Sequence, residues 1–329
     1  MFYILLLFLV GCPILDSKID TPIDSNDAGT SIFEVPKGAN ARSIGPKLEE
    51  AGLIGDARYW RAYLKLRDAG GCLKAGRFEL SRSQSMPEIM ATLCGVPLSD
   101  AVAFTVVEGW RIQEIDAALA SRGWASAGEY SQAAHTPDAF DLPGGLQSLI
   151  SLEGLLFPDT YMVEPDRFEV HEFIQRQLNA LDSRFITPRA DILSTMKRGL
   201  YPILIMASLV EREEPKEANM PVVAGVLWKR LDNRWNLGVD ATSRYTLEVW
   251  NDRRAFLGKL RDSSDPYNTR LRSGLPPTPI GSPGLQALSA SLSSQTSDYW
   301  YYLHDSKGQI HLSRSAKEHE AFRKRYNVY

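Results

Sequence analysis

The chain has 329 residues, 44% hydrophobic and 23% charged, with 37 Lys and Arg against 40 Asp and Glu and a net charge of −3. That length predicts about two domains, and that apolar fraction excludes a mainly disordered chain. Scattered, nearly balanced charge argues against nucleic acid as the main partner, and the lack of any apolar run of about 18 residues excludes a polytopic membrane protein.

Residues 1–15, MFYILLLFLVGCPIL, carry no charge before Asp16 and are expected to form an N-terminal hydrophobic anchor. As a helix they span about 22 Å, short of a hydrocarbon core of about 30 Å. No Lys or Arg precedes them, so flanking charge gives no orientation. Two readings stay open. Leu9-Val10-Gly11-Cys12 resembles a lipoprotein box with Cys12 as the lipidated residue; alternatively the run is the tail of a single membrane anchor whose start codon lies upstream of Met1. Either reading places the body outside the cytoplasmic membrane, where Cys72 and Cys94 are free to pair although no spacing compels it. The polar residues 16–30 read as a linker.

From Ser31 a pattern recurs three times. Ile32-Phe33-Glu34-Val35, Arg77-Phe78-Glu79-Leu80 and Phe104-Thr105-Val106-Val107 each alternate like a strand, and each leads into a helical stretch. Aligning Phe33, Phe78 and Phe104 brings Ile44, Ile89 and Ile115 into register, then Leu48, Leu93 and Leu119. Each Ile–Leu pair is spaced i, i+4, which puts both side chains on one helical face. Gly52, Gly95 and Gly123 follow the helices and suit left-handed C-caps. Between the first two units, Ala57 to Leu66 predicts a helix with Trp60 and Tyr63 on its core side. Residues 134–145, with Pro137, Pro143 and paired glycines, predict a loop.

The most informative segment is Pro202 to Pro215, PILIMASLVEREEP. Ile203, Met206, Ala207 and Val210 fall at i, i+3, i+4 and i+7, the spacing of a core-facing helix that Pro215 would stop. Glu211 falls at the edge of that apolar stripe. There desolvation disfavours its charged form and raises its pKa, as a general acid near neutral pH requires. Arg212 falls nearly opposite and is expected in solvent, as are Glu213 and Glu214 at the helix end. Further along, residues 265–284 hold five prolines and three glycines, so they predict a stiff extended loop of the kind that lines clefts. Residues 298–305, DYWYYLHD, predict a buried strand.

LEGLLFPDTY at 152–161, ASLVERE at 207–213, VDATSRY at 239–245, PYNTRLRSGLPPTPIGSPG at 266–284 and the closing G-x-I-H-x-S…EH together resemble the MltG/YceG-like family of endolytic murein transglycosylases. The resemblance runs over nearly the whole chain. It implies an α+β fold, with a small LysM-like module over 31–97, read as strand–helix–helix–strand–helix. A larger mixed α+β YceG-like catalytic domain over 98–329 would follow. It also implies cleavage of the β-1,4 bond between N-acetylmuramic acid and N-acetylglucosamine inside peptidoglycan strands, with Glu211, in the motif A-S-[IL]-[IV]-E, as the single acid/base. Product ends would be 1,6-anhydromuramoyl groups, and no metal or organic cofactor would be needed; no H-E-x-x-H or C-x-x-C spacing is present. Glu153, Asp240, Tyr267 and Asn268 are the expected substrate contacts, with Asp159, Tyr245, His311 and His319 weaker candidates. Expected partners are the glycan strands, the cell-wall synthesis machinery and, through the N-terminus, the cytoplasmic membrane. Three positions depart from the family's habit: Ala241 where Pro is common, Arg270 where Tyr is common, and Ser313 where Phe is frequent. Two other readings compete: a non-catalytic peptidoglycan-binding or scaffold protein, and a muramidase in which Asp240 supplies a second carboxylate.

Overall fold

The computed structural model describes residues 13–27 and 29–328, so the anchor and lipoprotein readings of residues 1–12 lie outside the described residues. None of the described helices is long and apolar enough to cross a membrane. Internal contacts divide the chain into two units, one ending at Asp100 and the other beginning at Ala101.

The N-terminal unit contains α1 (Pro13–Asp20), β1 (Thr30–Val35), α2 (Ala41–Glu50), α3 (Ala57–Leu66), β2 (Gly76–Ser81) and α4 (Met86–Leu93). From residue 30 the order is strand–helix–helix–strand–helix. β1 and β2 pair antiparallel, with Phe33 directly opposite Phe78. Both phenylalanines point into one core beneath α2 and α4, where Ile44, Leu48, Ile89 and Leu93 are fully buried. Asn40 caps α2 by accepting from the amides of Arg42 and Ser43. α3 buries Trp60, whose indole N–H donates to the Ala41 carbonyl at 2.7 Å, so this aromatic is core. One expectation fails here. The linker begins as helix α1, because Ile19 is wholly buried in the same core and Asp20 pairs with Arg67 at 2.6 Å. Cys72 and Cys94 form a disulfide, with Cα atoms 5.1 Å apart and a sequence separation of 22. Closing a loop of that length contributes about 3 kcal/mol through the unfolded chain. Gly52 and Gly123 take the left-handed conformation expected of them, whereas Gly95 does not.

The C-terminal unit contains β3 (Val102–Thr105), α5 (Ile112–Ser121), α6 (Glu129–Ala134), β4 (Thr160–Val163), α7 (Val170–Leu181), α8 (Ala190–Thr195), α9 (Leu200–Glu213), α10 (Met220–Asp232), α11 (Asp240–Tyr245), α12 (Arg253–Lys259), α13 (Leu285–Leu292), β5 (Tyr301–His304), β6 (Ile310–Ser313) and α14 (Ala316–Tyr326). β3 and β4 pair antiparallel with Phe104 opposite Tyr161, and β5 and β6 form an antiparallel hairpin. The third repeat belongs to this unit: Phe104, Ile115 and Leu119 are all fully buried in its core. α9 is the centre of that core. Every residue from Ile203 to Val210 is buried, because α10, α11 and α13 pack around it. A helix apolar on all sides is a core helix rather than an amphipathic one. Glu211 is the residue at which that burial ends.

Candidate active site

Residues 265–284 contain neither helix nor strand and are held against the core by hydrogen bonds to α9 and to the turn that follows β3. The Ile280 amide donates to Ser208 Oγ on α9 at 3.0 Å. The Gly109 amide donates to the Ser282 carbonyl and the Ser282 amide to the Trp110 carbonyl, each at 2.7 Å, which lays the loop beside the turn that follows β3. That approach requires glycine at 281, since a Cβ there would overlap the Gly109 carbonyl oxygen. Pro279 in turn packs onto Gly154 of LEGLLFPDTY. Three of the sequence motifs therefore meet at one place in the unit.

Glu211 stands at that meeting point. Its Oε2 accepts from the Gly284 amide at 2.9 Å, where the loop runs into α13. The carboxyl is half-buried, and this burial is the main cause of a pKa raised above the ordinary carboxyl value. The Gly284 N–H opposes the rise, Glu108 adds to it, Arg212 opposes it and Glu217 adds to it. A carboxyl so placed carries a proton at pH values where exposed glutamates do not.

The side chains flanking Glu211 correct the expectation of a solvated helix end. Arg212 is not in solvent: its guanidinium lies 4.0 Å from the Trp250 ring centroid, 3.6 Å from Glu114 and against Gly109. Glu214 is fully buried, accepting from the Lys216 amide at 2.8 Å and lying 2.9 Å from His304 Nε2. Glu213 accepts from the Tyr302 hydroxyl at 2.8 Å, and burial raises its pKa. The β5–β6 hairpin, about ninety residues downstream, covers this face. A helical wheel contains no such information.

The expected substrate contacts separate into different places. Asn268 is fully buried; its amide nitrogen donates to the carbonyls of Lys259, Leu260 and Asp262, and its Oδ1 accepts from the Arg270 amide. Every polar valence braces the loop, so Asn268 is not a substrate contact. Asp240 is bound to Arg270 at 2.6 Å. The two line a cavity of about 620 Å³ together with Glu213, Arg230 and Trp235, and Glu211 is not among its lining residues. Tyr267 hydrogen-bonds Thr278 at 2.8 Å and lies 4.8 Å from the Tyr245 ring. Among the weaker candidates, Asp159 pairs with Arg184, His311 with Asp305, and His319 lies against Tyr301. Only Tyr301–His304 of the predicted strand 298–305 is β-structure, and Leu303 is its one buried side chain.

Glu153 is 2% exposed and borders a cavity of about 390 Å³ lined by Arg111, Ser131, His135 and Tyr245. Its Oε2 accepts from the Tyr245 hydroxyl at 3.1 Å and the Ile112 amide at 3.3 Å, while Oε1 has no partner among the described residues. Desolvation raises its pKa from 4.5 to about 7. Below pH 4.5 the folded and unfolded chains both hold this proton; as pH rises through the folded value the buried group ionises and stability is lost. That window corresponds to about 3 kcal/mol. Glu153→Gln is therefore expected to raise unfolding free energy by about that amount at pH 8 and to change little at pH 4, as read by urea denaturation. An equal effect at both pH values would contradict a raised Glu153 pKa.

Glu108 is the residue that sequence reasoning passed over. It follows strand β3 and precedes Gly109, whose φ of +77 makes the turn, and its carboxylate packs directly over Gly284. A strand–Glu–Gly sequence was the available signal. Among the described residues no group of three or more His, Cys, Asp or Glu is placed to hold a metal ion.

The model of the YceG-like family matches residues 33–325. The chain is 26% identical over 336 residues to the endolytic murein transglycosylase of Bacillus subtilis, covering 97% of this chain and 89% of the relative. It is also 26% identical over 339 residues to the endolytic murein transglycosylase of Streptococcus pneumoniae, covering 93% of this chain but 60% of the relative's length. Among solved structures, a yceG-like protein from Listeria monocytogenes superposes with a TM-score of 0.61 at 25% identity, covering 89% of this chain and 99% of that one.

Proposed function

Because the chain belongs to the YceG-like family, we propose that it is an endolytic murein transglycosylase in which Glu211 is the single acid and base. The observation that carries this reading is the setting of Glu211: a half-buried carboxyl at the open end of a helix buried from Ile203 to Val210, held by one backbone amide and with its pKa raised by burial. Protonated Glu211 gives its proton to the glycosidic oxygen as the bond from C1 of N-acetylmuramic acid breaks. The resulting carboxylate takes the proton of that sugar's 6-hydroxyl while the 6-oxygen bonds to C1. Glu211 ends the cycle protonated again, and no water enters. The nucleophile is intramolecular, so proximity supplies much of the rate.

The muramidase reading requires a second carboxylate to activate water. Asp240 is poorly suited to that part, because Arg270 holds it in a cavity that Glu211 does not line. Glu153 and Tyr267 remain the substrate contacts of this reading. The N-terminal unit would hold glycan as a LysM-like module, a role favoured by its strand–helix–helix–strand–helix order. The reading also places the body outside the cytoplasmic membrane, tethered through residues 1–15 and acting beside the synthesis machinery. The Cys72–Cys94 disulfide favours that compartment, since such bonds persist where the surroundings oxidise.

The test is mass spectrometry of the products formed by the full chain from uncross-linked glycan strands. Internally cut fragments ending in 1,6-anhydromuramic acid are expected. Reducing ends would identify a hydrolase, and uncut strands with folded protein would identify a binding module.

A further inference from the structure

Glu108 and Glu211 come from segments about a hundred residues apart, and both carboxyls converge on Gly284. Glu211 takes the Gly284 N–H at 2.9 Å, while a Cβ on Gly284 would overlap Glu108 Oε1. Only glycine at 284 lets the Glu108 carboxylate lie there. The turn that carries it is fixed on both sides: the paired bonds between 109–110 and Ser282 hold its backbone, and Arg212 packs against Gly109. Yet the Glu108 side chain is exposed and, among the described residues, makes no hydrogen bond or ion pair. Three of the other carboxylates around this helix end are spoken for, and Glu217 lies exposed just beyond it. Glu114 pairs with Arg111 and Arg212, Glu213 accepts from Tyr302, and Glu214 from Lys216 and His304. The backbone beside it is held, but the Glu108 carboxylate, exposed and without a protein partner among the described residues, has nothing to stabilise in the resting fold.

We propose that Glu108 is a positioning residue for the reaction: its unpaired carboxylate, lodged over Gly284, supplies the negative charge against which Glu211 holds its proton before cleavage and takes one back afterwards. The proposal rests on the transglycosylase reading for its chemistry. A like charge nearby disfavours a second ionised carboxyl, so Glu108 keeps Glu211 in the form that can protonate a leaving oxygen. Once Glu211 has given up its proton, the same repulsion makes it a stronger base toward the 6-hydroxyl. The charged groups that act on Glu211 come from each neighbouring segment: Glu108 from the turn after β3, Arg212 on α9 and Glu217 just beyond it, with the Gly284 N–H from the loop. Arg212 opposes the two glutamates, and its own charge is shared with Glu114. Glu108 and Glu217 both lack a salt bridge among the described residues; of the two, Glu108 is the one that lies over Gly284 and acts more strongly on Glu211.

The experiment compares the full chain with Glu108→Gln and Glu108→Asp, measuring kcat/KM for glycan cleavage against pH. Activity falls on the alkaline side as Glu211 loses its proton. Glu108→Gln is expected to move that limb to lower pH, with a several-fold loss of activity at pH values above it, while Glu108→Asp keeps the limb near its original place. A uniform loss with an unmoved limb would mark a structural role and overturn the proposal. Anhydro ends replaced by reducing ends in wild type would also overturn it, since Glu108 would then be the base for a water. Direct titration of the Glu211 carboxyl carbon by NMR separates this proposal from the activity beneath it. A midpoint lower in Glu108→Gln than in wild type supports the charge coupling even if no cleavage is detected; identical midpoints refute it.

Discussion

Glu211→Gln is expected to abolish glycan cleavage, lowering kcat by roughly a thousandfold or more while leaving the unfolding transition nearly unchanged. Gln keeps the shape and can still accept the Gly284 N–H through its amide oxygen, so the loop stays anchored. What it lacks is a transferable proton. With a single residue acting as both acid and base, one substitution removes both proton transfers. The burial that raises the Glu211 pKa also means that the neutral amide avoids the desolvation cost an ionised carboxylate bears there, so the variant folds about as well above neutral pH. Residual cleavage within tenfold of wild type, at matched protein stability, would move the acid to another residue.

Gly154→Ala is expected to cost roughly 3–5 kcal/mol. Two penalties combine. Gly154 has φ +80, which an L side chain rarely adopts, and its added Cβ would overlap the Pro279 ring, which is rigid and cannot swing away. Gly123→Ala supplies the control, because Gly123 has φ +71 but nothing within 4 Å of an added Cβ. That variant should lose only about 1 kcal/mol by urea denaturation. Cleavage should fall further in Gly154→Ala than its folded fraction explains, since Pro279 is the anchor from which the loop reaches Gly284. Equal destabilisation by the two variants would show that the Pro279 contact is not tight.

The periodic features of the fold were legible in the sequence, and the long-range ones were not. Period-two and i, i+4 spacing placed Phe33, Phe78, Phe104 and their Ile and Leu partners, all of which are buried. Local spacing also located α3, whose bounds are Ala57–Leu66. The wheel put Glu211 at the rim of an apolar surface, but it mistook Arg212, Glu213 and Glu214 for solvated residues. Trp250, Tyr302 and His304 cover them, and their positions depend on how the chain returns rather than on anything local to α9. Asn268 misled for a related reason. An Asn in a Pro-rich loop suits a sugar as well as it suits three backbone carbonyls, and only the fold distinguishes the two. The same limit hid Glu108, whose meaning comes from Gly284, 176 positions away by subtraction of their numbers.

Gly284, which gives its N–H to Glu211, is also the N-cap of α13. The aligned peptide dipoles of that helix place partial positive charge at its start, which favours an anion there by roughly 0.3–1 kcal/mol. The Glu211 carboxylate therefore meets a favourable field from the helix end and an unfavourable one from its burial and from Glu108. The two fields act in opposite directions on the same carboxyl. A residue asked to release a proton and reclaim it within one turnover is served by such opposition, because a deep preference for either form would slow the opposite transfer. α13 is thus an electrostatic counterweight, built from backbone alone, to the burial that raises the Glu211 pKa.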